Sequence, residues 1–398
     1  MIQKLKTFNL YLLQIIGCIF VLSSIFKWIG LRTFFPTLLF MAVVLVNSCK
    51  LESGSHFGNK NIQISSIAID SVVVGKMENT SYYGQSGQCG DSLYFYDKAL
   101  SYLYYIGIDG KVGSRILGLG HSSQELPAKD LDVCYNSRDE QLVGIGSSLD
   151  VYIYDKPKDK VRKLSLKYVE GKGDYESPYS YSTWDEFIMY SAGDYAYYNI
   201  LGEAEGVRIT EEADYFKKAA ILMKLNMETG EQSPIGHYSD FYSQNKDKVR
   251  HLPHIYFDVI DDGSFYVTFQ ADSQIYHYSK DFELLETFGF SGTDMNTDYS
   301  ECELGIDGFG KAYVQDIDRV GYYYWLKCAN GYTFCSYRTS GDALNDRMQV
   351  YDGDYNLIAD VEVPKDFKVV GYIAPYFITS IKSLEEEDQL LFCKFKLK

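Results

Sequence analysis

The sequence lacks the short motifs that mark the common classes of enzymes and metal-binding proteins. It has no Gly-x-Ser-x-Gly elbow, no phosphate-binding loop and no Cys-x-x-Cys pair. Its Asp-rich turns lack the ligand spacing of a calcium-binding EF-hand loop, and sialidase Asp boxes and WD or kelch signatures are missing too. The sequence therefore predicts no catalytic residue, no metal site and no cofactor.

Positive charge is scarce beyond the N-terminus. Residues 1–48 contain four basic residues and no acidic ones, whereas residues 49–398 contain 34 basic and 54 acidic residues, a net charge of −20. Such acidity argues against a nucleic-acid partner and against direct electrostatic docking to anionic lipid. It mainly favours solubility and identifies no partner.

Aromatic residues are abundant instead, with 37 tyrosines in a chain of 398 residues. This length is ample for one large core, and a single β-propeller can accommodate it. Tyrosine suits the half-buried surface of a β-sheet, where the ring packs and the hydroxyl reaches water. We therefore interpret the tyrosines as strand packing rather than as a platform for an aromatic ligand.

Two apolar runs, residues 8–26 and 33–46, come before the folded part. The second run ends in Val46-Asn47-Ser48-Cys49, and a basic start, an apolar run and small residues before a cleavage point are typical of a secretory signal. This ending resembles the lipobox of bacterial lipoproteins. The resemblance implies that Cys49 is acylated and becomes the mature N-terminus.

Two other arrangements remain open for this segment: a retained membrane helix at residues 8–26, or a hairpin anchor made by both runs. All three arrangements attach the protein to a membrane. We predict a signal or anchor segment at residues 1–48, a flexible tether at residues 49–60 and a folded domain at residues 61–398.

Residues 254–292 show the repeating unit of the folded part most clearly. Runs of alternating aromatic and aliphatic residues are separated by turns such as Asp261-Asp262-Gly263, which predicts an antiparallel meander. Similar strand pairs recur at residues 101–118, 148–166, 219–236, 273–289 and 347–363. A sixth pair begins at Gln389, but the sequence ends before its second strand.

Five complete hairpins, one truncated hairpin and an unpaired strand at residues 61–75 add up to six units. An N-terminal strand that completes the last unit would close a ring and remove exposed strand edges. We predict an all-β fold, a six-bladed β-propeller closed in this way, with a seven-bladed ring or a two-sheet sandwich as alternatives. Residues 193–218 are interpreted as a loop insertion, and residues 302–307 and 312–317 as strands of blade five.

The lipobox, the acidic Tyr-rich composition and the six meanders together resemble the uncharacterised six-bladed β-propeller lipoproteins (NHL/TolB-like) of Bacteroides-type bacteria. Residues 117–126, LGLGHSSQEL, are similar to a Gly-x-Gly-x-x-x-Glu-Phe element of that family, with Leu126 in place of the aromatic residue. The resemblance implies a propeller fold and a cell-envelope location, as an outer-membrane lipoprotein on the periplasmic side or at the surface. It implies no agreed activity.

The loops that lead into the first strand of each blade form the predicted binding face. Its residues are Glu125, Lys129, Arg250, His251, His254, Asp298 and Glu301. The two histidines lack a third ligand and helical spacing, so a solvated loop is favoured over a metal site.

The cysteines within strand patterns are interpreted as packing residues. Cys328 and Cys335 are the one pair that could form a disulfide, because the six residues between them could make a hairpin turn.

Without a catalytic constellation, the sequence predicts a membrane-tethered envelope lipoprotein that acts as a binding or scaffold module. Its partner would be an envelope protein or a glycan. The alternative is a carbohydrate-active hydrolase or lyase at the same face, which would need two carboxyl groups, or an acid with His251 or His254, close together.

Overall fold

The computed structural model describes residues 56–136, 139–146, 150–167, 187–202, 208–260, 262–384 and 389–397. The chain divides into two units, Met1–Ser55 and His56–Lys398, and the described residues belong to the second. The predicted signal or anchor segment and Cys49 lie outside the described residues and stay predictions.

The described residues form six sheets, and three short N-terminal strands pair with sheets that are formed later in the chain. The three strands are β1 (His56–Phe57), β2 (Lys60–Ile64) and β3 (Ile69–Val73). The first sheet contains β4 (Gly84–Cys89), β5 (Ser92–Asp97), β6 (Tyr102–Ile106) and β7 (Val112–Leu117). The second contains β8 (Asp132–Asn136), β9 (Gln141–Ile145), β10 (Val151–Asp155) and β11 (Lys160–Leu164). The third contains β12 (Met189–Ala192), β13 (Tyr195–Asn199), β14 (Leu222–Asn226) and β15 (Gln232–Ile235).

The fourth and fifth sheets follow the same chain order, whereas the sixth does not. The fourth contains β16 (Ile255–Val259), β17 (Phe265–Phe269), β18 (Asp272–Tyr278) and β19 (Leu284–Phe288). The fifth contains β20 (Tyr322–Ala329), β21 (Tyr332–Arg338), β22 (Asn345–Tyr351) and β23 (Leu357–Pro364). The sixth contains β24 (Val369–Ile373), β25 (Tyr376–Thr379), β26 (Lys382–Leu384) and β27 (Gln389–Phe395). In this sheet β27 pairs with β25, and β26 lies beyond β27. Helices occur between strands, at α1 (Tyr215–Lys218), α2 (Asp240–Gln244), α3 (Lys246–Val249) and α4 (Ile306–Asp316).

The six sheets are the blades of a closed ring. The first strand of each blade contacts the first strands of both neighbouring blades, in the order β4, β8, β12, β16, β20 and β24, and β24 contacts β4 again. A ring of antiparallel sheets with this connectivity is a six-bladed β-propeller. The predicted fold class and the predicted outer hairpins are confirmed.

An N-terminal strand closes the ring, as predicted. β3 pairs with β27 in blade six, with Ile69 opposite Phe395 and Val73 opposite Leu391. The adjacent turn requires glycine: Gly110 has φ +81°, and a Cβ there would lie 2.4 Å from the Val73 carbonyl oxygen. The closing strand therefore lies too close to this turn for any side chain.

Strand pairing begins within the segment that the sequence analysis assigned to the tether. β1 runs parallel to β19 of blade four, and β2 runs parallel to β23 of blade five. Both strands cover the outer edge of a blade, where unpaired backbone groups would otherwise face solvent. Residues 56–60 therefore include backbone that is paired rather than free.

Two secondary-structure predictions were wrong. The proposed loop insertion at residues 193–218 contains β13, the second strand of blade three. Helix α4 occupies most of residues 302–317, where two strands of blade five were predicted. In this helix Phe309, Ala312 and Asp316 recur at helical spacing and pack inward, so tertiary burial selects the helix.

Many tyrosines are fully buried, which differs from the half-buried role that composition indicates. Tyr104, Tyr242 and Tyr323 have no more than 1% of their surface exposed. The Tyr242 hydroxyl donates to the Leu252 carbonyl at 2.6 Å, and the Tyr104 hydroxyl donates to the Glu78 carbonyl at 2.9 Å. These rings fill the core while their hydroxyls hold the inter-blade loops against it.

Candidate functional site: the central channel

A cavity of about 1550 Å³ runs through the centre of the ring. The first strands of all six blades contribute to its wall, through Gln85, Asp132, Tyr190, Asp258, Lys327 and Tyr372. Ligand pockets usually occupy about 300–1,000 Å³. The channel is therefore large enough for a ligand of several linked units.

β4 differs from the other first strands because it carries only small and amide side chains, Gly-Gln-Ser-Gly-Gln-Cys. The ring of Tyr94, on the neighbouring β5, lies over Gly87, where a Cβ would be 2.8 Å from the ring atoms. A glycine here lets this tyrosine reach the channel, whose wall it helps to form. Blade one thus contributes both amides and an aromatic ring.

An ion pair in the channel wall joins blades four and five, next to a tyrosine of blade three. Lys327 Nζ contacts Asp258 Oδ1 at 2.8 Å, and the ammonium lies 4.5 Å from the centre of the Tyr190 ring. Asp258 is 1% exposed and also accepts a hydrogen bond from the Cys328 backbone N–H at 2.8 Å. Burial raises the pKa of Asp258 above its usual value, and Lys327 opposes that shift.

A second group of the same kind joins blades one and two. Lys98 Nζ contacts Asp132 Oδ1 at 2.5 Å and lies 5.9 Å from the centre of the Tyr83 ring. Gln85 donates to the same Asp132 oxygen at 3.1 Å. Burial raises the pKa of Asp132, and the nearby ammonium of Lys98 again opposes the shift.

An aromatic and hydroxyl cluster connects blades four and five beside the channel. His277 Nδ1 lies 2.9 Å from the Tyr355 hydroxyl and its Nε2 lies 3.2 Å from Ser264 Oγ. The imidazole stacks on Tyr266 with ring centres 4.3 Å apart, and burial lowers the pKa of His277. Burial therefore disfavours the protonated imidazole, and the two hydroxyl contacts of His277 join blades four and five.

The predicted binding face does not line this channel. Arg250, predicted to be at the surface, is 1% exposed and donates to the carbonyls of Ile209 and Glu212. His251 is 2% exposed and lies 2.8 Å from Asp316, on helix α4. The prediction of a solvated loop at His251 and His254 is therefore wrong for His251, because helix α4 covers this side chain.

The other predicted face residues are dispersed. Glu125 accepts a hydrogen bond from the Ser122 N–H in the loop between blades one and two, and Lys129 is exposed in the same loop. Asp298 and Glu301 are exposed before blade five, and the backbone N–H of His254 faces Gln270. The structure brings Arg250 and His251 next to each other but does not assemble the seven residues into one pocket.

Cys328 and Cys335 do not form the disulfide that their spacing had allowed. Both are free thiols. The turn lies at Asn330-Gly331, so Cys328 pairs with Thr333 and Cys335 pairs with Leu326. The two cysteines are diagonal neighbours on the hairpin rather than directly opposite, which is an unsuitable position for a bridge.

The residues that carry the channel chemistry were not predicted from the sequence. Asp258 and Lys327 are separated by 69 positions and meet only because β16 and β20 are neighbours in the ring. A weak signal was present, because each is a single charged residue in a strand of otherwise mostly apolar side chains, IYFDV and YYYWLKCA. A lone charge in a buried strand indicates a paired or functional position.

The described part of the chain contains neither a cluster of metal-binding side chains nor a membrane-spanning helix. Within it, no group of three or more His, Cys, Asp or Glu side chains is arranged to hold a metal ion. None of its helices has the length and apolar character needed to cross a membrane.

Comparison with solved structures places this fold among propellers from Bacteroides. A member of the DUF4221 family from Bacteroides vulgatus superposes with a TM-score of 0.62 and 11% identity, covering 84% of this chain and 99% of that one. A protein from Bacteroides fragilis that is described as exported gives 0.52 and 12%, covering 86% and 99%. The resemblance to Bacteroides-type propellers is thus confirmed at the level of the fold.

Sequence comparisons add no family. No protein-family model matches the sequence, and no curated protein matches it either. Virginiamycin B lyase from Staphylococcus aureus superposes with a TM-score of only 0.41 and 11% identity, covering 84% of this chain and all of that one. A likeness this weak transfers no activity.

Proposed function

We propose that the protein is an envelope-tethered β-propeller that binds a polar organic ligand in its central channel. The observation that carries this proposal is the cavity of about 1550 Å³ to which all six blades contribute. Large pockets that combine aromatic rings with a few convergent polar groups are the usual form of a ligand site. The partly buried pairs Lys327–Asp258 and Lys98–Asp132 supply those polar groups.

The sequence around Cys49 supports the tether. It matches a lipobox at the end of an apolar run, and a fold relative from Bacteroides fragilis is described as exported. Cys49 precedes the first paired residue, His56, by seven positions, a reach of at most about 25 Å. An acylated Cys49 would therefore hold the propeller close to the surface of an outer membrane, on the periplasmic side or outside the cell.

The partner we propose is an envelope glycan or an exposed segment of an envelope protein, with the channel as its site. The proposed site in the channel replaces the binding face that was predicted in the loops between blades. Arg250 and His251 are buried there, and Glu125 lies in the loop between blades one and two, so these residues form no common pocket.

The geometry supports binding over hydrolysis at that face. A hydrolase or lyase there could use two carboxyl groups or an acid with His251 or His254, and the second arrangement needs both groups where substrate can reach them. The pair that comes closest, His251 with Asp316, has no exposed side-chain surface on either partner. A group that substrate cannot contact cannot exchange a proton with it.

The test is to purify the full-length protein from detergent-solubilised envelopes and identify small molecules released on denaturation by mass spectrometry. The double variant Lys98→Met with Tyr83→Ala changes two residues of the channel wall. The control is Tyr376→Ala, because the Tyr376 ring also lies near lysine ammonium groups but does not line the channel. We expect one co-purified compound that the channel variant loses and the control keeps. Equal retention by both variants would refute the channel as the site.

The tether has a separate test. Membrane fractionation and intact mass are compared for the wild-type protein and Cys49→Ala. We expect the wild type to carry an acyl mass and to partition with membranes, and Cys49→Ala to lose the acyl mass. An unmodified wild-type Cys49 would refute the lipoprotein assignment and leave the propeller site untouched.

A further inference from the structure

The channel contains the same three-residue group twice. Lys327, Asp258 and Tyr190 form one group, and Lys98, Asp132 and Tyr83 form the other. In each, an ammonium contacts a carboxylate and lies near the ring of a tyrosine in the channel wall. From this repeated arrangement we propose that the channel ligand is an uncharged oligosaccharide. The inference rests on the proposed channel function and adds the class of ligand.

Charge balance is the first reason. Each lysine in the two groups is matched by an aspartate at 2.8 Å or 2.5 Å, so neither group offers a net charge to a ligand. An anionic ligand would place its charge beside a carboxylate that the single ammonium of the group already neutralises, and like charges close together repel. These two groups therefore favour a ligand with no net charge.

The available donors and acceptors are the second reason. An ammonium has three N–H donors, and among the described residues Lys327 uses one of them, on Asp258. Asp132 accepts from Lys98 and Gln85 through Oδ1, and no described residue donates to its Oδ2. A donor beside an acceptor is matched by hydroxyl groups, which both give and accept hydrogen bonds.

The aromatic rings are the third reason. Tyr83 is 58% exposed although it is a large ring, and Tyr190 and Trp325 line the same cavity. Trp325 already donates its indole N–H to the Val369 carbonyl at 2.6 Å, so its contribution to a ligand is its apolar surface. A pyranose presents an apolar C–H face beside its hydroxyl edge, which matches rings adjacent to Lys–Asp pairs.

A peptide strand fits this wall less well. Strand addition needs free backbone N–H groups on a sheet edge. Three such groups facing the channel are already bonded by side chains: Val133 N–H donates to Gln85, Cys328 N–H to Asp258 and Tyr372 N–H to Gln88, at 2.7–2.9 Å. These bonds cap the inner edges of β8, β20 and β24.

The experiment uses the purified full-length protein and isothermal titration calorimetry, with intrinsic tryptophan fluorescence as a second readout. The probes are four neutral hexasaccharides (cello-, xylo-, manno- and laminari-), an oligogalacturonate of equal length and an uncharged hexapeptide. We expect one neutral hexasaccharide to bind at least about ten times more tightly than the oligogalacturonate, with little salt dependence.

Matched variants locate the binding. Tyr83→Ala removes an exposed ring, and Asp132→Asn keeps the shape of the side chain but removes its charge. Each should weaken the neutral ligand by about tenfold or more, Asp132→Asn because it removes a charged acceptor and Tyr83→Ala because it removes an apolar ring surface. Tyr376→Ala, a lysine-contacted tyrosine outside the cavity, should leave affinity unchanged.

The outcomes separate the two proposals. Tighter binding of the oligogalacturonate or the hexapeptide, lost in Tyr83→Ala and Asp132→Asn, would overturn the neutral-glycan inference and keep the channel as a ligand site. Neutral-glycan binding that neither variant weakens would overturn it as well. No heat and no change in tryptophan fluorescence with any probe, together with no co-purified compound, would overturn the channel function itself.

Discussion

Gln88, on the first strand of blade one, holds Tyr372, on the first strand of blade six, with both ends of its amide. Gln88 Oε1 accepts from the Tyr372 N–H at 2.9 Å, and Gln88 Nε2 donates to the Tyr372 carbonyl at 2.9 Å. The neighbouring Gly371 leaves the space, because a Cβ there would lie 1.8 Å from Gln88 Oε1. These bonds join the first and last blades at the inner wall, where β3 does not reach.

We expect Gln88→Ala to lower the free energy of unfolding by about 1–3 kcal/mol, because it leaves two backbone groups at the channel wall without a partner. Denaturant unfolding followed by far-UV circular dichroism measures the change. Gln315→Ala, at an exposed position of helix α4, is the control and should change stability by less than about 0.5 kcal/mol. Equal effects would show that the amide does not contribute to ring closure.

The outer closure by β3 has its own test, at Gly110. Gly110 and Gly90 both have positive φ, +81° and +58°, so alanine is strained at either. Only at Gly110 would the added Cβ meet the closing strand, 2.4 Å from the Val73 carbonyl oxygen; at Gly90 nothing lies within 4 Å. We expect both variants to lose about 1 kcal/mol from backbone strain, and Gly110→Ala to lose more.

The difference between these two variants, measured by thermal unfolding, isolates the contact with β3. A Gly110→Ala variant no less stable than Gly90→Ala would contradict the close approach of the N-terminal strand to the turn.

The blades could be predicted because their signals are local. Alternating apolar residues and turns rich in Asp, Lys or Gly mark each hairpin within about twenty residues, and the unpaired strands at both ends of the domain indicated closure. Helix α4 could not be predicted in this way. Gly308 and Gly310 disfavour a helix, and the burial of Asp316 against His251 depends on residues far along the chain.

The site was harder to predict than the fold for the same physical reason. The residues around Arg250 and His251 predict a polar loop, because no neighbouring residue in the sequence indicates that helix α4 covers them. The Lys98–Asp132 pair joins two blades and spans 34 positions. Pairing across a ring follows from the order of the blades, which has to be known before such partners can be named.

The His251–Asp316 pair makes stability depend on pH. Burial lowers the pKa of His251 below its usual 6.5. For Asp316, burial alone would raise the pKa, but hydrogen bonds from Ser300, Arg319 and His251 hold it below 3.8. In both cases the unfolded chain binds protons more readily than the folded one, so stability falls as the pH falls.

We therefore expect the free energy of unfolding to decrease from pH 7 towards pH 5, as the pH passes below the unfolded pKa of the histidine. His251→Gln should flatten this slope, whereas His121→Gln, in an exposed loop, should leave it unchanged. Urea unfolding at a series of pH values measures the slope. An unchanged slope in His251→Gln would contradict the role of the buried pair.

The Lys327–Asp258 pair should behave as a coupled unit in the channel wall. Lys327→Met leaves the Asp258 carboxylate at 1% exposure with only backbone donors, so we expect a loss of about 3–5 kcal/mol in the free energy of unfolding. Asp258→Asn, which keeps the shape, should also destabilise. In the double variant neither charge remains, so its loss of unfolding free energy should be smaller than the sum of the two single losses. A double-mutant cycle from denaturant unfolding measures this coupling directly. Additive losses would mean that the two residues act independently, and the contact at 2.8 Å would then contribute nothing to the stability of the wall.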